Sequence, residues 1–385
     1  MGIFDRFYHS TVYRWRDQQV NRMRWHVQDH KTADYRCISI SPFVRPIGIN
    51  LDDSNRILIS DIDSHRVMRF SDTLAFDGWL GVSKDNPERA PGHWRFDAPR
   101  AIRGDGPGAF ARPHGIEFDG EGNIFVTELE NRRIQVFNKN GDFLRFVPSY
   151  QKGLSPPLVG PATARLEQDG NLYVTDFRGN AIHRFDADDN FVGWYGDDGE
   201  NGGTVGFHRS GTPVPSSRPC GFLKPHVARV DKQGYLVVAD TWNHRISRLD
   251  PSGRFAGWIG ADAYGNPALA WRLNGAAAEA SVPGGFSAPV AIDFDDHANI
   301  LVAEFGNHRI QLFTPDGAYI GWIGARKRGG VAGPWSTKGL SCSSSSPGGF
   351  RNPYDIAFRR GKLYVADTEN GRVQIISLPD PTNWI

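Results

Sequence analysis

Hydrophobic and polar positions alternate along this chain in short bursts, cut apart by Gly, Asp, Asn and Pro. The clearest stretch begins at Phe110 and reads FARPHGIEFDGEGNIFVTELENRRIQVFNKNGDFLRFV. Ile116 and Phe118 alternate with polar neighbours, and Asp119-Gly120-Glu121-Gly122 then breaks the pattern. Ile124-Phe125-Val126 is a continuous apolar run, Ile134 and Val136 alternate again, and Asn140-Gly141 follows. A period of two predicts strands, and an unbroken apolar run predicts a strand covered on both faces. Asn-Gly favours a tight hairpin. The stretch therefore predicts four antiparallel strands joined by turns.

The same unit recurs, starting near Phe43, Phe110, Leu158, Phe222, Phe286 and Phe350. Each copy opens with a proline: Pro46, Pro113, Pro161, Pro225, Pro289 and Pro353. An acid follows each proline at a nearly fixed distance: Asp61, Glu128, Asp176, Asp240, Glu304 and Asp367. A four-stranded sheet cannot bury both faces alone, but six stacked radially can. The pattern predicts an all-β, six-bladed β-propeller over 34–378. The sixth unit stops after its third strand at Ile376, before Pro379-Asp380-Pro381, which cannot continue a sheet. Upstream, Tyr35-Arg36-Cys37-Ile38-Ser39-Ile40 reads as a strand. It is expected to complete blade six and remove the open edge.

The remaining segments are a 1–33 extension and a 379–385 tail. Phe4, Tyr8, Val12, Trp15, Met23 and Val27 fall on one helical stripe, which predicts an N-terminal helix over 3–28. Such a helix would pack on the propeller or dock on a partner or membrane surface. Links 82–109, 197–221, 261–285 and 325–349 are long, and three of them contain Trp94, Trp271 or Trp335. All join an outer strand to the next inner strand. They are expected to cap one channel mouth, as a stability collar or as the surface that takes a small molecule or protein.

Composition removes several function classes. The formal net charge is +1, so no bulk field draws the chain to nucleic acid or anionic lipid. Arg326-Lys327-Arg328 and Arg359-Arg360 are the local basic clusters. Cys37, Cys220 and Cys342 are few and far apart, which argues against a disulfide scaffold. The N-terminal residues carry charges throughout, without the apolar core of a signal peptide, and no apolar run is long enough to span a membrane. The expectation is a soluble cytoplasmic protein. Nothing matches a Ser-His-Asp elbow, a P-loop or a dinucleotide-binding fingerprint.

Two polar patterns remain. The first is an acid-x-x-Asn-x-Arg set, as in Asp240, Asn243 and Arg245 or Glu304, Asn307 and Arg309. Its near-sixfold recurrence points to scaffolding by charge-assisted hydrogen bonds. His65, His244 and His308 sit inside this motif and share that reading. The second is the residue after each repeat proline, at the start of the innermost strand: Ile47, His114, Ala162, His226, Val290 and Tyr354. Blades two, four and six carry the ligating side chains. They stand a third of a turn apart and are expected to converge. Imidazole suits zinc, copper or iron, and three protein ligands with an open position make a catalytic metal site.

These residues resemble the NHL family, named for its Asn-His-Leu tripeptide. Here the tripeptide reads Asn243-His244-Arg245 and Asn307-His308-Arg309, and the resemblance spans about 43–376. More distantly, Pro113-His114-Gly115-Ile116, Pro225-His226-Val227 and Pro353-Tyr354-Asp355-Ile356 resemble segments of peptidyl-α-hydroxyglycine α-amidating lyase. That family is a six-bladed, NHL-like propeller with zinc held in its channel by three histidines. The resemblance implies that His114 and His226 are ligands, with Tyr354 in place of the third histidine. It implies Asp355 as an acid/base or orienting group, and a lyase-like cleavage of a C–O or C–N bond. Tyrosine in place of histidine favours iron or copper over zinc. Two other functions are consistent with the same fold: a non-enzymatic protein–protein scaffold working through the capped face or the N-terminal helix, and RNA binding.

Overall fold

The structure is a computed structural model that describes residues 26–31, 36–41, 43–85, 93–97, 101–148, 158–167, 170–199, 205–327 and 331–378. Blade one shows how the repeat folds. Its strands are Pro46–Leu51, Ile57–Asp61, Arg66–Phe70 and Phe76–Leu80, each antiparallel to the next. Five further blades follow at 113–147, 161–208, 228–259, 289–336 and 353–377. The first strand of each blade packs against the first strand of the next, and the sixth returns to the first, so these strands form the inner ring. Second strands are the continuous apolar runs, and Ile57–Asp61, Ile124–Glu128, Leu236–Asp240 and Ile300–Glu304 are buried along their whole length. Removing these side chains from water on both faces is the main driving force of the fold.

The ring closes as the sequence predicts. Arg36–Ser41 pairs antiparallel with Arg372–Ser377, with Cys37 opposite Ile376 and Ile40 opposite Val373. The Cys37 thiol donates to Gln374 Oε1 at 3.0 Å across this seam. None of the three cysteines is in a disulfide.

The N-terminal helix needs correcting. His26–Lys31 is a strand that pairs with Arg36–Ser41, so residues 26–28 of the expected helix lie in a fifth strand of blade six. The closing strand would otherwise present its outer row of backbone groups to solvent, and pairing satisfies them. Residues 1–25, with most of the expected helical stripe, and the 379–385 tail lie outside the described residues. Among the described residues there is no α-helix, and none that could cross a membrane.

Four described stretches of the long links pair with the outer strands of their blades. Trp79 and Arg95 exchange backbone hydrogen bonds of 2.9 Å, as do Trp258 and Arg272. Val205–His208 pairs with Phe191–Asp197, and Val331–Ser336 pairs with Tyr319–Arg326. Trp79, Trp194 and Trp258 are fully covered, and Arg95, His208 and Arg272 stack on them. These contacts are those of a stability collar packed on the tryptophans, one of the two readings of the links.

The acid-Asn-Arg set pins the end of each link to the blade it leads into. Asp240 Oδ1 accepts the Leu223 amide at 2.9 Å, and Asp240 Oδ2 accepts Arg245 Nε at 2.8 Å. The other guanidinium nitrogens of Arg245 donate to the carbonyls of Ser217, Arg218 and Gly221. Glu304 with Arg309 and Asp367 with Arg372 repeat the arrangement. Blade three has Ala181 in place of arginine, and His183 lies 3.6 Å from Asp176 instead.

The histidines of this motif clasp neighbouring blades together. His65, His244 and His308 adopt the left-handed conformation, with φ of 54°, 52° and 55°. That turn aims Nδ1 at the next blade, where it accepts the amide of Arg112, Ala288 or Asn352 at 3.2, 3.2 and 3.1 Å. Asn180 does the same in blade three, its Oδ1 accepting the Lys224 amide at 2.9 Å. The acceptor must be neutral imidazole, and burial lowers the pKa of all three histidines, that of His65 to about 4. The scaffolding role expected for this motif matches these contacts.

Candidate functional site

The three side chains that follow the repeat proline in blades two, four and six meet. The His114 and His226 ring centroids are 4.9 Å apart, His114 and Tyr354 5.5 Å, and His226 and Tyr354 4.7 Å. Each sits just after the repeat proline; at His114 and Tyr354 the inner strand shifts register there, and His226 stands just before its inner strand begins at Ala228. Close approach of the inner strands is needed, and glycine permits it: a Cβ on Gly48 would lie 2.0 Å from the His114 carbonyl oxygen. That carbonyl accepts the Ser60 hydroxyl, which in turn accepts the Gly48 amide at 2.7 Å.

The trio is dry. His114, His226 and Tyr354 are 2 %, 2 % and 1 % exposed. Phe177 packs edge-on against His226, and Phe305 against Tyr354, each at 5.8 Å between centroids. Burial pushes the His226 pKa down to about 3. Burial also pushes His114 well below its ordinary value, helped by His226, Arg112 and Arg45 nearby. Both rings are neutral at any physiological pH, each with one nitrogen that carries a lone pair.

Hydrogen bonds say which nitrogen that is. His226 Nδ1 lies 2.9 Å from the Val290 carbonyl oxygen, which only accepts, so the proton is on Nδ1. Nε2 of His226 then carries the lone pair, and it is buried without a partner. His114 is hydrogen-bonded to the Ala162 carbonyl, and its Nδ1 is buried without a partner. Each imidazole is therefore oriented by a carbonyl of the next blade, the arrangement that fixes the tautomer of metal-ligating histidines. Zn–N bonds of about 2.0–2.1 Å place two ligating rings on the order of 5 Å apart, the spacing this pair has. Among the described residues no group of three or more His, Cys, Asp or Glu side chains could hold a metal ion. The donor set here is two imidazoles and a phenol.

Asp355 belongs to the next layer of the channel. Its Oδ2 accepts the Ile49 amide at 3.0 Å, joining blade six to blade one, and its Oδ1 accepts the Ile356 amide at 2.9 Å. Burial raises its pKa to about 6, against the opposing pull of Arg165, the two amides and Arg229.

That layer also holds a belt of polar residues that the repeat reading passed over. Arg165 Nη1 donates to the Ile116 carbonyl at 3.2 Å and to Glu117. Asn50 Nδ2 donates to the same carbonyl at 3.1 Å. Arg229 Nη1 lies 3.0 Å from Asp293 Oδ1, and Asp293 Oδ2 accepts the Phe358 amide at 2.6 Å. Asn50, Glu117, Arg165, Arg229 and Asp293 share one position, four residues after the repeat proline. Recurrent polarity at one offset of an otherwise apolar strand was the signal available to find them.

Comparison with known proteins agrees on the class. Residues 350–376 match the NHL repeat. Virginiamycin B lyase from Staphylococcus aureus superposes with a TM-score of 0.50 at 12% identity, covering 92% of this chain and 100% of that one. A gluconolactonase from Xanthomonas campestris gives a TM-score of 0.52 at 13% identity, covering 92% and 95%. An auxiliary nutrient binding protein from Bacteroides thetaiotaomicron gives 0.53 at 14%, covering 92% and 73%. At these identities the likeness is one of fold. The chain is a six-bladed β-propeller with an NHL repeat in its last blade, and its fold is shared by a lyase, a lactonase and a nutrient-binding protein.

Proposed function

We propose that the channel of this propeller is a metal-centred, lyase-like site. His114 and His226 would hold a transition metal ion, zinc, iron or copper, with Tyr354 as third ligand. The observation that carries this reading is the pair of buried, neutral imidazoles, each tied to a backbone carbonyl and each with its other nitrogen lacking a partner. An unpartnered buried acceptor costs about 1–3 kcal/mol, and two at the centre of a propeller call for a ligand. A bound ion would polarise a substrate oxygen or lower the pKa of a bound water.

The chain's own residues define the rest of the chemistry. Phe177 and Phe305 keep water from the rings and lower the local dielectric. Asp355, with its pKa near 6, would hold or release a proton close to neutral pH, as a general acid or base requires. In lyase-like cleavage of a C–O or C–N bond, the ion would polarise the oxygen and Asp355 would move the proton.

Loading the apoprotein with Fe(III) or Cu(II) tests the ligand set. A tyrosinate-to-metal band in the visible, present in the parent and absent in Tyr354→Phe, is expected. A spectrum identical in the two proteins would remove Tyr354 from the site.

A second reading, a protein–protein scaffold, has one observation in its favour. Tyr264, Leu269 and Leu273 on the 261–285 link are 90 %, 84 % and 62 % exposed. Loss of a co-purifying partner on replacing all three with Ser would support it.

A further inference from the structure

Arg165 stands out among the buried charges. It is 3 % exposed, and of its guanidinium nitrogens only Nη1 is engaged, with Ile116 and Glu117. Nε and Nη2 are buried without a partner. Those two nitrogens form one edge of the planar group, the edge that takes a carboxylate bidentately. The protein uses that edge in this way elsewhere. Arg36 grips Asp29 through Nε at 3.0 Å and Nη2 at 2.6 Å, and Arg145 grips Asp189 through Nε at 2.5 Å and Nη2 at 3.3 Å. Arg218 holds Asp197 through the same pair. In Arg165 the fork is complete and its carboxylate is missing.

The neighbours specify the ligand further. Arg229, on the inner strand of the neighbouring blade, also has a buried Nε without a partner. Glu117 and Asp293 already offset one positive charge each. The belt therefore has donors to spare but no net positive charge, which suits a small monoanion better than a phosphate dianion. Solvent reaches this layer, since the Arg229 and Glu117 side chains are 20 % and 16 % exposed, whereas the His114, His226 and Tyr354 rings are closed off.

We propose that the polar belt is a second site in the channel, which binds a small monocarboxylate on the Nε/Nη2 edge of Arg165 with Arg229 as a further donor. The site needs no metal and stands whether or not the ring above it holds one. In the bound state both orphaned nitrogens of Arg165 are satisfied.

The probe is ¹³C-labelled acetate, titrated into the full chain and followed by line broadening, with crystals soaked in acetate. Saturable one-to-one binding is expected, weakened at least tenfold in Arg165→Met and in Arg229→Met and unchanged in His114→Ala. Density for a planar anion on the Arg165 edge is expected in the crystals. Absence of saturable binding, affinity equal to the parent's in both arginine variants, or water alone on that edge would overturn the proposal. Should Arg165→Met fail to fold, Arg229→Met and the soaked crystal decide the matter. Loss of binding in His114→Ala would also overturn it, by placing the anion on the ring instead.

Discussion

The Val290 carbonyl oxygen lies 2.9 Å from His226 Nδ1, and this one contact decides which nitrogen of His226 carries the lone pair. It places the proton on Nδ1 and leaves Nε2 as the donor to any ligand. Imidazole ¹⁵N shifts should show an Nδ1–H tautomer that stays neutral through pH 5, because burial lowers the pKa to about 3. Titration near the ordinary histidine value would mean that the ring is wet and that the channel is open where it is drawn closed.

The histidine clasps make stability depend on pH. His65, His244 and His308 accept an amide hydrogen only when neutral, and their folded pKa values lie below the ordinary 6.5, His65 at about 4. A depressed folded pKa contributes stability above the unfolded value and loses it as pH falls through the folded one. Tm should therefore hold near pH 7 and fall between pH 6.5 and about 4. Asn180 makes the same clasp without a titratable group. Replacing the three histidines by Asn should flatten that acid limb, and an unchanged limb would assign it to other groups.

The acid-Asn-Arg clamp is fully buried, so removing one partner strands the other charge. Arg245 is 2 % exposed and Asp240 0 %. Arg245→Met should cost about 3–5 kcal/mol, read as a fall in Tm or in the denaturant midpoint. The cost at Ala181 of blade three, where no arginine exists, should be small for any apolar replacement of similar size. A mild effect of Arg245→Met would show that the link ends are held by backbone pairing alone.

The closing strand predicts a sharp boundary for truncation. Deleting residues 1–25 should leave Tm within a few degrees, since Arg36–Ser41 still pairs with Arg372–Ser377. Deleting 1–41 removes the seam and exposes the edge of blade six, so the product should aggregate or unfold. A soluble, cooperative 42–385 fragment would contradict velcro-like closure by this strand.

Much of this was legible in the sequence because a repeat samples each position six times. The proline, the acid and the apolar runs recur, so the blades, the clamp and the trio after the proline could all be read from spacing. The seam was legible because the sixth unit is one strand short. The pairing of the links was not, because Arg95 and Arg272 join Trp79 and Trp258 through single bridges that carry no periodicity. The fifth strand at His26–Lys31 was hidden because Val27 also fits a helical stripe, and tertiary pairing decided the matter. Arg165 and Arg229 share an offset from the repeat proline that was legible too, but the residue type changes from blade to blade there, so the recurrence shows as polarity and not as a motif.

The most direct test of the channel site is the metal content of untagged, freshly purified protein, measured beside a His114→Ala/His226→Ala double variant. Near one equivalent of a transition metal in the parent and none in the folded variant is the predicted result. No metal in either protein, with the parent also failing to take up added zinc, iron or copper, would contradict the metal-centred account.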